Sequence, residues 1–189
     1  MTVGYKVPAV CAAREWELQI VEDAVRDIGG SVYMEIGSFE GGSLCRFGGA
    51  MLPGARLIAI DRPLINAVGT LEKAVKRMGG NGFDASCIIA DSHKMSTLKT
   101  AKSALGDRPV DVLFIDGDHS VEGVAGDVAM YCPLVREGGL VVFHDCGPVD
   151  QGHGWASKMR GPREAIRKFG LGRRCMVVQE WAGFGLIWK

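Results

Sequence analysis

Five apolar runs along this chain each end on a carboxylate: Val32–Glu35, Leu57–Asp61, Cys87–Asp91, Val112–Asp116 and Leu140–Asp145. Continuous hydrophobic stretches of this length predict strands covered on both faces, because a strand with one wet face alternates apolar and polar residues instead. The stretches between them have helical spacing. Arg14–Ile28 repeats Leu18, Val21, Val25 and Ile28 on one face and stops at Gly29-Gly30. A second helix opens after Gly37–Ser43 around Leu44–Ala50, and Pro53-Gly54 then turns the chain into the next strand. Asn66–Met78 sets Ala67, Val68, Leu71, Ala74, Val75 and Met78 on one side; Ser96–Leu105 and Val121 to Tyr131 are the next two helices. The third strand is placed at Ala85–Ala90 and the fifth follows the Gly138-Gly139 turn.

Strands alternating with helices predict an α/β fold, a doubly wound three-layer sandwich in which every parallel strand delivers its last residue to one sheet edge. Ligands of open α/β sheets bind outside that edge. After Asp145 the pattern changes. Residues 146–161 read as a loop carrying His153, Trp155 and Arg160, too long for an ordinary connection and so a lid or substrate loop. Pro162–Phe169 then predicts a helix, and Cys175–Gln179 and Phe184–Trp188 two closing strands. Their hairpin-short connection around Trp181-Ala182-Gly183 makes the last strand antiparallel. The expectation is one domain over residues 1–189, with residues 1–30 an N-terminal helical segment. Its sheet is mostly parallel and seven-stranded, the last strand reversed.

The bulk numbers narrow the classes. With 189 residues and 47% hydrophobic content, the chain has ample material for one core and no sign of disorder. No run reaches the ~18 to 20 apolar residues of a membrane span. Met1–Val10 lacks a charged start and a long apolar stretch, which predicts a cytoplasmic protein with no membrane contact. Six cysteines without a CxxC pair read as reduced, mostly buried thiols. Net charge is zero, so nothing global favours nucleic acid. From Gln151 onward, however, eight Lys/Arg face two Asp/Glu. That basic tail is either a solvated helix face balancing an acidic sheet edge or a contact for an anionic substrate or partner.

Candidate chemistry sits at the strand ends. Glu35-Ile36-Gly37-Ser38-Phe39-Glu40-Gly41-Gly42-Ser43 joins a strand to a helix through glycines, which let a ligand approach the backbone directly. The Gly37 to Gly41 spacing is wider than that of pyrophosphate binders and suits a nucleoside better; a purely structural turn is the plainer reading. Asp61 ends the next strand 24 residues after Gly37, where a carboxylate accepts two hydrogen bonds from a ribose diol, unless it is only a cap or surface charge. Asp91-Ser92-His93 is placed for an adenine edge, with a simple helix cap as the alternative for Asp91. The stretches Asp111–Ser120 and Gly138–Asp145 bring Asp116 and Asp145 onto neighbouring strands, a plausible Mg²⁺ site of hard oxygen ligands. His119 overhangs that site and is a candidate base. Asp118 and His119 are also fit to cap the following helix, and His144 is either a metal ligand or a satisfied core-edge residue.

These residues resemble a known group. MEIGSFEGGS, the IAID that contains Asp61, and FIDGDHSVEGVAGDVAMYCPLVREGGLVVFHD are similar to class I S-adenosylmethionine-dependent methyltransferases, whose fold is Rossmann-like. Within that class they look most like metal-dependent O-methyltransferases of the macrolide-sugar O-methyltransferase and cephalosporin-hydroxylase-like group, over roughly Val32–Asp145. The resemblance implies that Glu35, Gly37 and Ser43 flank the methionine end of the cofactor, that Asp61 holds the ribose and that Asp91 and Ser92 border the adenine. It implies Mg²⁺ on Asp116 and Asp145, and His119 as catalytic base. Catechol-type members carry an asparagine after the second metal aspartate; here Cys146 stands there and leaves the third protein ligand unassigned. The chain lacks the long N-terminal extension of macrolide-sugar members, so its acceptor pocket must come from Tyr5–Trp16, the 146–161 loop or a partner subunit. A homodimer is a family-level expectation.

The leading reading is therefore methyl transfer from S-adenosylmethionine to a hydroxyl of a small molecule, assisted by Mg²⁺. A metal-independent methyltransferase acting on nitrogen or nucleic acid through the basic tail is one alternative, weakened because no NPPY-like tetrapeptide follows the fourth strand. A non-catalytic cofactor-binding module is the other; the intact set Asp61, Asp116, His119 and Asp145 argues against it. An NAD-dependent oxidoreductase is disfavoured by the glycine spacing.

Overall fold

A computed structural model describes residues 13–62, 68–147, 160–178 and 181–189. Its seven strands are β1 (Val32–Ile36), β2 (Arg56–Asp61), β3 (Asp84–Ile89), β4 (Val110–Ile115), β5 (Val135–His144), β6 (Arg174–Val178) and β7 (Phe184–Trp188). They form one sheet in the order β3-β2-β1-β4-β5-β7-β6. The first five pair in parallel. β7 slots between β5 and β6 and runs antiparallel to both. The mostly parallel sheet with a reversed last strand is thus as the sequence predicts.

Helices α1 (Glu15–Ile28), α2 (Gly42–Phe47) and α3 (Val68–Gly80) cover one face; α4 (Met95–Leu105), α5 (Val121–Tyr131) and α6 (Arg160–Phe169) cover the other. The strands read as unbroken apolar runs because alternate residues enter different cores. Tyr33, Val112 and Phe114 pack with Leu18, Val21 and Phe47 on the first face. Val32, Met34, Ile36, Leu113 and Ile115 pack with Leu98, Leu105, Val124 and Tyr131 on the second. Among the described residues no helix is long and apolar enough to cross a membrane.

Several boundaries move. β5 begins at Val135, before the apolar run, because Val135 already pairs with Val110. A bulge with Gly138 at φ +72° then resets the register so that Leu140 faces Val112. α3 runs on to Gly80 rather than stopping at Met78. More important for the site, Glu35 is not the last residue of its strand: Ile36 follows it, paired with Ile60 and Ile115. Most of the 146–161 loop, including His153 and Trp155, lies outside the described residues, as do Tyr5 and the start of the Asn66–Met78 segment. The five described cysteines are free thiols.

Candidate active site

The carboxyl ends of β1, β2 and β4 meet through a close backbone contact. Gly37 N–H donates to the Ile60 carbonyl at 2.8 Å, and Asp116 N–H to the Ile36 carbonyl at 2.8 Å. Gly37 has φ +84°, and a Cβ there would lie 2.0 Å from the Asp116 carbonyl oxygen. Only glycine satisfies both conditions. The glycine turn therefore leans directly on the strand end that carries the candidate metal site.

Beside this contact is a cavity of about 160 Å³ whose walls include Gly37, Phe39, Asp61, Asp91, Ser92, His93, Asp116 and Asp118. Four of the six predicted cofactor residues, Gly37, Asp61, Asp91 and Ser92, come together here. Asp61 ends β2 and accepts a hydrogen bond from the Phe39 backbone N–H, so it also holds the turn in place. Burial raises its carboxyl above the ordinary range, against the opposing backbone hydrogen bonds. Asp91 does cap, but it caps the turn before α4: its Oδ1 accepts from His93 N–H at 3.0 Å, while α4 has no side-chain cap.

Glu35 and Ser43 lie one layer lower, outside the cavity wall. Glu35 is fully buried, with Tyr33 Oη donating to one carboxylate oxygen at 2.5 Å and Ser43 Oγ to the other at 2.7 Å. Burial pushes its carboxyl up to about 7, although those hydroxyls favour the charged form. The sequence reading set Glu35 on the edge because its apolar run ends there. Alternation along β1 instead turns the side chain into the α1–α2 layer, beneath the turn.

Asp116, part of the cavity wall, also meets Asp145, His119 and His144. His119 Nε2 lies 3.1 Å from Asp116 Oδ1 and its Nδ1 3.1 Å from Asp145 Oδ2, so the ring bridges the two carboxylates. His144 Nδ1 is 3.1 Å from Asp116 Oδ1 and 3.4 Å from Asp145 Oδ1. One ligand atom from each of Asp116, His144 and Asp145 lies within 4.8 Å of the others. Asp145 is reached through a left-handed backbone, φ +57°, which a short polar residue tolerates. The histidines decide the electrostatics. Burial alone would raise Asp116; the charge of His144 and the hydrogen bonds from both rings outweigh it and hold the carboxyl below its usual range. Asp145 is raised by burial, and the hydrogen bond to Asp116 raises His119.

The capping alternative divides between neighbours. Ser120 caps α5, accepting from Gly123 N–H at 3.0 Å, and Asp118 supports it by accepting from Ser120 N–H at 2.9 Å. His119 points away from the helix and into the carboxylates. Cys146 is buried, with its thiol turned to the carbonyls of Phe143 at 3.4 Å and His144 at 3.5 Å. It is thus directed away from the acid pair, and its thiol is pushed far up by burial. The sequence places His93 only within the Asp91-Ser92-His93 adenine edge and gives Asp127 no role. His93 Nε2 lies 3.0 Å from the Gly123 carbonyl and 3.4 Å from the fully buried Asp127, which fixes the ring against α5 at the cavity wall. Gly126, whose Cβ would lie 3.1 Å from that ring, was the available signal.

Residues 34–146 match the family model described as a methyltransferase domain. The chain belongs to this methyltransferase family. A curated relative, the uncharacterized protein R132 of Acanthamoeba polyphaga mimivirus, is 34% identical over 118 residues, 60% of this chain; the chain spans half the length of that relative. Among solved structures, the methyltransferase domain superposes on cofactor-bound Rv0187 from MTB with TM-score 0.73 at 19% identity, covering 97% of this chain and 83% of that one. The O-methyltransferase of Bacillus cereus, solved in complex with SAH, gives TM-score 0.72 at 16% identity over 97% and 84% of the two chains. TomG of Streptomyces achromogenes, an O-methyltransferase of tomaymycin synthesis solved with SAM, gives 0.67 at 22% identity over 94% and 81%. The fold is therefore that of class I S-adenosylmethionine-dependent methyltransferases. In this methyltransferase domain the basic tail is largely engaged locally. Arg167 and Lys168 face Glu164 at 3.0 and 3.7 Å, and Arg173 and Arg174 stack on Phe169 and Trp188 at 4.5 and 4.3 Å.

Proposed function

We propose that the chain transfers the methyl group of S-adenosylmethionine to a hydroxyl oxygen of a small molecule. One observation supports the reading most: Asp116 lines the cavity with Gly37, Asp61, Asp91 and Ser92 and also belongs to the acid and histidine cluster. A cofactor seated against Gly37, Asp61, Asp91 and Ser92 would therefore hold its reactive end beside His119.

In this reading Asp61 accepts the ribose hydroxyls, Asp91 and Ser92 border the adenine, and Gly37 lets the cofactor approach bare backbone. Glu35 and Ser43 support the turn from beneath, under the methionine end. Two carboxylates whose oxygens lie within 4.8 Å of each other, one of them in the cavity wall, fit a divalent cation; it would be held by Asp116 and Asp145 and would make the acceptor hydroxyl more acidic. His119 takes the hydroxyl proton. The oxygen electron pair forms the new bond to the methyl carbon, the carbon–sulfur pair returns to sulfur, and S-adenosylhomocysteine leaves. Alignment of oxygen, carbon and sulfur supplies most of the acceleration. As a base His119 must carry a deprotonated ring nitrogen; both nitrogens now face carboxylates, Nε2 on Asp116 and Nδ1 on Asp145, and the neutral ring is favoured once a cation neutralises those charges.

Transfer of labelled methyl from S-adenosylmethionine to a panel of hydroxylated acceptors tests the assignment. Asp116→Asn and Asp145→Asn should lose turnover by about 100-fold or more while S-adenosylhomocysteine affinity changes by less than about threefold. His119→Ala should lose rate at neutral pH and regain part of it at high pH, where hydroxyls ionise unaided. Undiminished turnover in the aspartate variants would remove the metal role, and an unchanged pH profile would remove the base.

A further inference from the structure

The cation site departs from a Mg²⁺ site in its third donor. Mg²⁺ takes oxygen ligands in near-ideal octahedral geometry. Here the position after Asp145 is Cys146, whose buried thiol faces backbone carbonyls. What the fold offers in its place is the imidazole of His144.

Three facts make His144 more than a neighbour. Its Nδ1 is 3.1 Å from Asp116 Oδ1 and 3.4 Å from Asp145 Oδ1. Two donors that each sit about 2.1 Å from one cation at right angles are about 3.0 Å apart, so these separations suit adjacent corners of one coordination sphere. The ring is nearly sealed from solvent, at 4% exposure, and packs against Phe184 with centroids 4.9 Å apart. Packing therefore fixes its orientation toward the carboxylates. Finally, His144 is the last residue of β5 and pairs with Phe184 of β7, so the nitrogen is carried by a rigid strand rather than a loop.

We infer that His144 Nδ1 is the third protein ligand, and that the site Asp116–His144–Asp145 selects a first-row transition cation such as Mn²⁺, Co²⁺ or Zn²⁺ over Mg²⁺. Imidazole nitrogen binds transition cations well, whereas Mg²⁺ gains little from exchanging a water oxygen for nitrogen. This rests on the proposed cation-assisted reading, but it concerns the donor set and is measurable without cofactor, acceptor or turnover.

The test uses the whole metal-free chain. Calorimetric titration with MnCl₂ and with MgCl₂ should show Mn²⁺ binding at least about tenfold tighter. Pulsed electron paramagnetic resonance of the Mn²⁺-loaded protein should show coupling to one ¹⁴N nucleus. In His144→Glu that coupling should vanish and the Mn²⁺ preference should shrink to less than about threefold, with S-adenosylhomocysteine binding reporting that the variant is folded. Absence of nitrogen coupling in the unaltered protein, its persistence in His144→Glu, or equal affinity for both cations would each overturn the assignment. Those results would leave the methyltransferase reading standing if S-adenosylhomocysteine still binds. A protein that binds Mn²⁺ through His144 but no S-adenosylhomocysteine would retain the metal site and lose that reading instead.

Discussion

Glu35 shows how a single residue departs from its sequence pattern. A carboxylate closing an apolar run looks like an edge residue, yet Ile36 continues the strand and the pleat buries Glu35 between Tyr33 and Ser43. Its carboxyl, raised by burial from the ordinary 4.5 to about 7, makes folding sensitive to pH. An acid that ionises less readily in the folded state keeps its proton while the unfolded chain releases it. Stability then falls as pH rises from about 4.5 toward 7 and levels off above. Urea unfolding of Glu35→Gln should lack this part of the fall, and the difference from wild type between pH 4.5 and pH 8 should be on the order of 2 kcal/mol. Parallel profiles for the two proteins would show that Glu35 is ionised in the fold at no cost. His144 and Cys146 carry the same lesson. Both were visible in sequence, but which side chain faces Asp116 depends on strand pleat and on the left-handed turn at Asp145, and neither is written in composition or spacing.

Among the elements, the glycine turn after β1 carries the largest constraint. Gly37 and Gly54 both have positive φ, +84° and +79°, but only Gly37 is walled in: nothing lies within 4 Å of a Cβ at Gly54. Gly54→Ala should therefore show the backbone cost alone, about 1 kcal/mol. Gly37→Ala adds a clash with the Asp116 carbonyl and should cost about 3 kcal/mol or more, read as the difference in denaturant midpoints. Equal losses would mean that β1 and β4 have room to separate at the site. The central strands are legible because both of their faces are covered, which turns them into apolar runs whose ends are easily seen, and Asp61 and Asp116 accordingly stand at the edge. The early start of β5 was not legible, since Val135 and Arg136 are separated from the run by the Gly138 bulge.

For the whole molecule, the order of strands governs what the site can be. β4 and β5 are neighbours, so Asp116 and Asp145 approach each other; β1 and β2 flank β4 on its other side, so the same Asp116 closes the cavity against Gly37 and Asp61. The alternation of strands and helices predicts the three layers and the short closing hairpin predicts the reversed last strand, but neither predicts that β7 inserts between β5 and β6, because a hairpin signal says which strands pair and nothing about the second neighbour. The central claim is that this edge binds the nucleoside of S-adenosylmethionine, and the most direct measurement is calorimetric titration of the protein with S-adenosylhomocysteine beside Asp61→Ala. The expected result is micromolar binding that weakens by at least about tenfold in the variant, since a half-buried carboxylate placed to accept the ribose hydroxyls is removed. No binding by the unaltered protein, or equal binding by both, would contradict it.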